Sequence, residues 1–343
     1  MKMILAGLIV LVLLFGCTGG GEQRPPANNT TNVTNQTPPV HIIIGNQTNQ
    51  TTGANITKNE TGNQTGPTSK ELDYTYDPTK LMAVYFIDVG GPGEHGDAIL
   101  VKKGDFDMLI DAGPADNSGK VVDFLHDHGV DDIEVLVSTT GDPRRYGGIK
   151  EVAKDFKIEH LWWGGDDFGD QGYKSAIAVV KSQVKEEKTV QEGFQADLDG
   201  MNVTVLNPPK AHRFEDVNND AIVMRLVEGN ISMLLTSGIQ TGAQGLLINT
   251  KKSEIQTLIM QAPYYGVGSG TSNIGIFLIT AKPKYMIITG SSDESAPNGG
   301  SREPFQRQMV QYNITPYMNY VNGTIRITTD GNNFTAMALG SGQ

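Results

Sequence analysis

A single cysteine stands among the 343 residues, so no intramolecular disulfide can form. Long apolar runs are missing as well. The run Ile4–Phe15 has twelve residues, too few to span a bilayer and suited to the h-region of a signal peptide. Positive charge is scarce: 27 Lys and Arg face 38 Asp and Glu, a net charge of -11. Affinity for phosphate backbones comes largely from cationic side chains displacing counterions, so nucleic acid is not the default partner. Residues 18–70 hold almost no aromatic side chain and consist mainly of Asn, Thr, Gln, Gly and Pro. Such a segment cannot bury enough surface to offset chain entropy. The expectation is a disordered tether over 18–80, with the globular domain at 81–343.

The start of the chain explains its lone thiol. Lys2 supplies a positive n-region before the apolar run, which stops at Leu14-Phe15-Gly16-Cys17. This stretch resembles the lipobox of prokaryotic lipoproteins, in which the cysteine is lipidated and becomes the mature N-terminus; Phe15 is bulkier than the usual residue there. The resemblance implies a signal segment at 1–17, lipidation of Cys17, and a location on the outer face of the cytoplasmic membrane or the cell surface. One acyl chain binds membranes reversibly, so stable anchoring needs two or more. The tether carries nine Asn-x-Thr sequons, at Asn28, Asn29, Asn32, Asn35, Asn46, Asn49, Asn55, Asn59 and Asn63. That density resembles the glycosylated stalk of an archaeal surface protein. Five further sequons fall in the globular part, at Asn202, Asn230, Asn313, Asn322 and Asn333. The apolar island His41-Ile42-Ile43-Ile44 reads as a sticky patch in the tether and not as a strand.

From Leu81 short apolar runs alternate with glycine turns. AVYFIDV (83–89), DAILVKK (97–103) and FDMLIDAG (106–113) read as three successive strands. A helix from about Ser118 presents Val121, Val122 and Leu125 on one face and stops at Gly129. A strand at 133–138, a helix at 148–156, a strand at 158–163 and a helix at 173–187 follow. The second half repeats the plan, with strands at 202–206, 220–227, 231–236, 255–260 and 284–290, helices after Gly242 and near 273–281 and 302–312, and closing strands at 323–329 and 333–338. Hairpins that precede βα units in both halves predict an α/β protein of two mixed sheets, packed together with helices outside.

FIDVG, GDAILV, MLIDAGP, VLVSTTGDPRRYGG, MLLTSGI, APYYGVGSGTS, KPKYMIITGSS and NGTIRITTDGNNF occur in that order. The series resembles the metallo-β-lactamase-like domain at the C-terminus of the competence protein ComEC and its free-standing relatives, over about 82–338. The resemblance implies an αββα sandwich. It also implies a zinc or manganese site built on His-x-His-x-Asp-His, where the metal brings a bound water to a pKa near about 7. Here those four positions fall on Thr140, Asp142, Arg144 and Arg145, and arginine is always protonated with no lone pair to donate. The family's later Asp falls on Gly238, beside Ser237, and its next His on Tyr264, followed by Tyr265. The last polar block reads SAPNGG. Asp142 alone keeps ligand chemistry, so no metal or other cofactor is expected.

Other polar groups read more plainly. His126-Asp127-His128, with Asp131 and Asp132, mimics a ligand pair but sits on the last turn of a helix, where the helix dipole favours histidine. His95 reads as part of a surface loop, and Asp88, Asp97 and Asp111 as turn caps. Arg144 and Arg145 either pair with Asp142 or line an anion or sugar site with Tyr264 and Tyr265. The preferred reading is a non-catalytic binding or structural module on a surface lipoprotein, with an unidentified ligand or protein partner. The alternatives are a phosphodiesterase-like or nuclease-like hydrolase working around Asp142, Asp111 and His95, and an accessory of DNA uptake.

Overall fold

A computed structural model describes residues 43–46, 81–90, 95–168, 170–211, 214–267, 275–291 and 302–340, all within the unit Val40–Gln343. The signal segment with Cys17 and every tether sequon except Asn46 lie outside the described residues, as does SAPNGG. In chain order come β1 (Ile43–Asn46), β2 (Met82–Phe86), β3 (Ile99–Lys103), β4 (Phe106–Ile110), α1 (Ser118–Asp127) and β5 (Asp132–Ser138). Next are α2 (Pro143–Tyr146), α3 (Ile149–Asp155), β6 (Lys157–Trp163), α4 (Gln171–Lys181) and β7 (Glu186–Thr189). The second half holds β8 (Gln195–Leu198), β9 (Met201–Asn207), β10 (Val223–Glu228), β11 (Ile231–Leu235), α5 (Thr241–Thr250) and β12 (Ile259–Gln261). It closes with α6 (Gly275–Ala281), β13 (Tyr285–Ile288), α7 (Glu303–Gln311), β14 (Thr315–Met318), α8 (Asn319–Asn322), β15 (Ile325–Thr329) and β16 (Asn333–Ala338).

Two sheets result. One has the order β1-β16-β15-β2-β3-β4-β5-β6-β7, the other β14-β13-β12-β11-β10-β9-β8. Hairpins make the antiparallel halves, and helical crossovers make the parallel ones, β4 to β7 and β11 to β14. Central strands are mostly apolar because both their faces are covered. Along β2, Met82, Val84 and Phe86 face the core between the sheets, together with Met224, Leu226, Met233 and Leu235 of the other sheet. Ala83 and Tyr85 face the helix layer of Val121, Leu125, Val152 and Ile177. Leu234, Met260 and Met286 face the layer of Leu247, Phe277 and Phe305. This is the αββα sandwich. All the parallel strands point their C-terminal ends to one pole, which is where the site forms.

The structure corrects four local expectations. Ile43–Asn46 is an edge strand, paired antiparallel with Asn333–Ala336, and not a patch without strand structure. The helix expected to reach 187 ends at Lys181, and Glu186–Thr189 pairs with β6 as a strand. Residues 220–222 precede their strand instead of starting it, because Asn207 takes up Ala221 O with its side-chain amide and Ile222 N donates to Thr139 O. The strand expected over 255–260 begins only at Ile259, since Lys252–Ile255 winds into a 3-10 turn. Gly129 does terminate α1, with φ +66° in the left-handed region that favours glycine.

Candidate functional site

Loops from both sheets meet at the shared pole. β4 runs into Asp111, β5 into Thr139 to Asp142, β11 into Thr236 to Gly238, β12 into Tyr264 and Tyr265, and β13 into Thr289. Four non-glycine residues there have positive φ: Asp111 at 59°, Ser237 at 49°, Tyr264 at 44° and Tyr265 at 61°. Each such residue costs on the order of 1–3 kcal/mol and persists only where its surroundings hold it. The hold is visible at Asp111, which accepts from Thr139 N at 2.8 Å and Thr139 Oγ1 at 2.6 Å. Thr139 Oγ1 in turn lies 2.6 Å from Ser237 Oγ, joining the two sheets. Gln261 Oε1 accepts from Thr236 N and Ser237 N.

Asp142 caps α2, accepting from Arg144 N at 3.0 Å. Pro143 at the first helical position suits that start. The Arg144 side chain folds back so that Nε and Nη2 donate to the same carboxylate at 2.9 and 2.6 Å. Arg145 points inward and is fully buried. Its Nε donates to Asp97 Oδ2 at 2.8 Å and its Nη1 to Asp142 Oδ2 at 3.3 Å. Nη2 also lies 2.8 Å from Asp97 Oδ2, out of line for a hydrogen bond. Thr289 Oγ1 donates to the other Asp97 oxygen at 2.5 Å. Arg145 also lies over the Tyr265 ring, 4.4 Å from its centroid, and Arg144 lies 5.7 Å from the centroids of Tyr264 and Tyr265.

The electrostatics follow from this packing. Burial pushes the Asp111 carboxyl up to about 7, although the charge of Arg145 and the Thr139 hydrogen bonds pull the other way. Burial also opposes ionisation of Asp142, but hydrogen bonds from Arg144 and the charges of Arg145 and Arg144 outweigh it and hold that carboxyl below its ordinary value. Burial raises the Tyr265 phenol well above its usual range. A guanidinium between Asp97 and Asp142 therefore remains charged, with its counter-charge beside it.

The expected site residues thus fall as follows. Thr140 donates to Val217 O at 2.6 Å. Gly238 faces Arg145: a Cβ built there would stand 3.1 Å from Arg145 Nη1 and 2.6 Å from Asn218 Oδ1. Arg145, Tyr264 and Tyr265 are 0%, 2% and 1% exposed, so they pack on one another and do not line an open anion or sugar site. Arg144 does reach solvent. It lines an open cavity of about 440 Å³ with Pro114, Asp116, Pro143, Tyr146 and Lys150.

The expectations for His95, Asp97 and Asp111 change here, while His126 falls on the last turn of α1 and His128 at its C-cap, as expected. His95 is buried, 5% exposed, with its ring 5.5 Å from that of Tyr265, and is not a surface-loop residue. Asp97 is an ion-pair partner and Asp111 a bridge between strand ends, not turn caps; Asp88 caps its turn, accepting from Gly90 N. His126 and His128 lie at the opposite end of α1, where His126 is 3.7 Å from Asp155 and His128 stacks on Phe124. Asp97 is the partner that sequence reasoning missed. Its one signal was a carboxylate two residues before the apolar start of β3, Ile99-Leu100-Val101.

The fold is an αββα sandwich of a nine-stranded and a seven-stranded sheet. No protein-family profile matches the chain. It is similar to competence protein ComA of Neisseria gonorrhoeae, 24% identical over 214 residues, covering 62% of this chain and 27% of that one. It is also similar to the uncharacterized protein YcaI of Escherichia coli K12, 20% identical over 256 residues, covering 72% and 30%. The chain thus spans under a third of the length of either relative. Among solved structures, the metallo-β-lactamase fold protein YhfI of Bacillus subtilis superposes with a TM-score of 0.47 at 14% identity, covering 69% of this chain and 95% of that one. CmlA, a diiron β-hydroxylase from Streptomyces venezuelae, gives a TM-score of 0.48 at 10% identity, covering 72% and 54%.

Proposed function

We propose that the chain is a lipoprotein held at the outer face of the cytoplasmic membrane or the cell surface through Cys17, and that its metallo-β-lactamase-like domain binds a partner or serves a structural role without hydrolysing a substrate. The observation that carries this reading is the Arg145 guanidinium, buried between Asp97 and Asp142 at the strand ends. Zinc or manganese does not fit these residues. A divalent ion needs several lone-pair donors within about 2.0–2.2 Å. The carboxylates here are taken up by arginine, and a side chain at Gly238 would meet Arg145. Two fixed guanidiniums, Arg145 beside Asp97 and Asp142 and Arg144 on Asp142, balance the two carboxylates, as a bound divalent cation would otherwise do.

Two assays test the reading. Cys17→Ser moves the protein from the membrane fraction to the soluble fraction; a variant that stays bound overturns the lipid anchor. The parent shows no phosphodiesterase, β-lactam or thioester hydrolysis above background. Turnover that vanishes in Asp142→Ala overturns the non-catalytic role. The similarity to a competence protein supports a second reading, an accessory that holds DNA during uptake. The net charge of -11 opposes it. Salt-sensitive binding of the purified domain to DNA would favour that reading.

A further inference from the structure

The sequons are not scattered over the fold. Asn202 is the second residue of β9 and pairs in register with Val227, next to last in β10. Asn230 lies in the β10–β11 turn, and its backbone N–H donates to Gly331 O in the β15–β16 turn of the other sheet. Asn333 follows that turn, next to the Thr329 that pairs with Met82 at the start of β2. Asn313 lies two residues before β14, whose first residue pairs with Tyr285 at the start of β13. All four therefore lie at the pole opposite Arg145, where the parallel strands begin. Asn202, Asn230 and Asn313 are exposed and Asn333 is half-buried.

One tether sequon reaches the same pole: β1 ends at Asn46, in register with Asn333. Asn322 is the exception. It is half-buried at the site pole, and the Thr324 of its sequon is 7% exposed, with Oγ1 accepting from Asp88 N at 3.0 Å.

We infer that N-linked glycans cover the pole opposite the arginine cluster and leave the pole bearing Arg144 bare. Asn202, Asn230, Asn313 and Asn333 are the modified residues of the globular domain. In each transfer the Asn side-chain nitrogen attacks C1 of the first sugar of a lipid-linked oligosaccharide phosphate. The C1–N bond forms, the C1–O bond to phosphate breaks, the lipid phosphate leaves and the amide gives up one proton. Hydrated sugar on one pole excludes macromolecules from it, so contacts with a partner are confined to the other. The inference rests on the exposed location proposed above, because glycan transfer occurs on the exported side of a membrane.

The test is glycopeptide mass spectrometry on the full chain, recovered from membranes of a host that glycosylates exported Asn-x-Ser/Thr. The expected result is occupancy at Asn202, Asn230, Asn313 and Asn333 with Asn322 bare. Substituting those four by Gln should remove their glycan mass. Occupancy at Asn322 equal to that at the other four overturns the inference, as does a bare pole. In the latter case, protease digestion of intact cells separates the causes. A chain that protease reaches keeps the exposed location and loses only the glycans, whereas a protected chain loses both.

Discussion

Gly238 leaves room for Arg145: the arginine Nη1 stands 3.1 Å from where a Cβ at Gly238 would lie, and Asn218 Oδ1 stands 2.6 Å from it. The two positions come from different sheets, Arg145 after β5 and Gly238 after β11, so the absence of a side chain at one accommodates the length of the other. Gly238→Ala should destabilise the domain by about 1–3 kcal/mol, the usual cost of overpacking, read as a drop in the urea midpoint at constant slope. An unchanged midpoint would mean that Asn218 and Arg145 give way freely.

Arg145 holds the pole together through charge. Removing one partner of a buried pair leaves its counter-ions uncompensated, at a cost of about 3–5 kcal/mol. Arg145→Met should show a loss of that order, and adding Asp97→Asn and Asp142→Asn should recover part of it. Arg145→Lys should also destabilise, because an ammonium lacks the planar fork that reaches both carboxylates. Chemical denaturation of the four proteins at pH 7 checks this. Equal stability of Arg145→Met and the parent would remove the ion pairs from the account.

Asp111 sets a pH dependence of opposite sign to an ordinary salt-bridged carboxylate. Its folded value is raised from 3.8 to about 7, so between those limits the folded state holds a proton that the unfolded state has lost. Its contribution to stability is therefore full below about pH 4 and falls as pH rises towards 7. Asp107, raised to about 6, and Glu134, raised to about 7, act in the same direction. Asp142, held below its ordinary value, acts in the other direction and loses its contribution under acid. The Tm difference between Asp111→Asn and the parent, measured from pH 4 to 8, should grow in favour of the variant up to about pH 7 and then level off. A difference that stays flat across that window would contradict the buried, protonated carboxyl.

Strands covered on both faces were legible in the sequence because both faces need apolar side chains: VYFIDV and MLLTSG announce themselves. Edge strands were not. Glu186–Thr189 is exposed at all four positions, Thr315–Met318 contains a proline, and Ile43–Asn46 stands alone amid polar chain. Nothing in their patterns separates them from loops; only pairing makes them strands. At the site, the order of the motifs singled out residues that do converge: Asp142, Arg145, Gly238 and Tyr265. The destination of Arg145 could not be read there, because its partner Asp97 is 48 residues away and the space it fills depends on a glycine in the other sheet.

The central claim is that a fixed guanidinium replaces bound metal at this pole. The most direct test is metal content by inductively coupled plasma mass spectrometry, after the purified domain is incubated with zinc, manganese or iron and then dialysed. The account predicts less than one ion of each metal per chain, with no difference between the parent and Asp142→Ala. One or more tightly held ions per chain, lost in Asp142→Ala, would contradict it and restore a metal-dependent site.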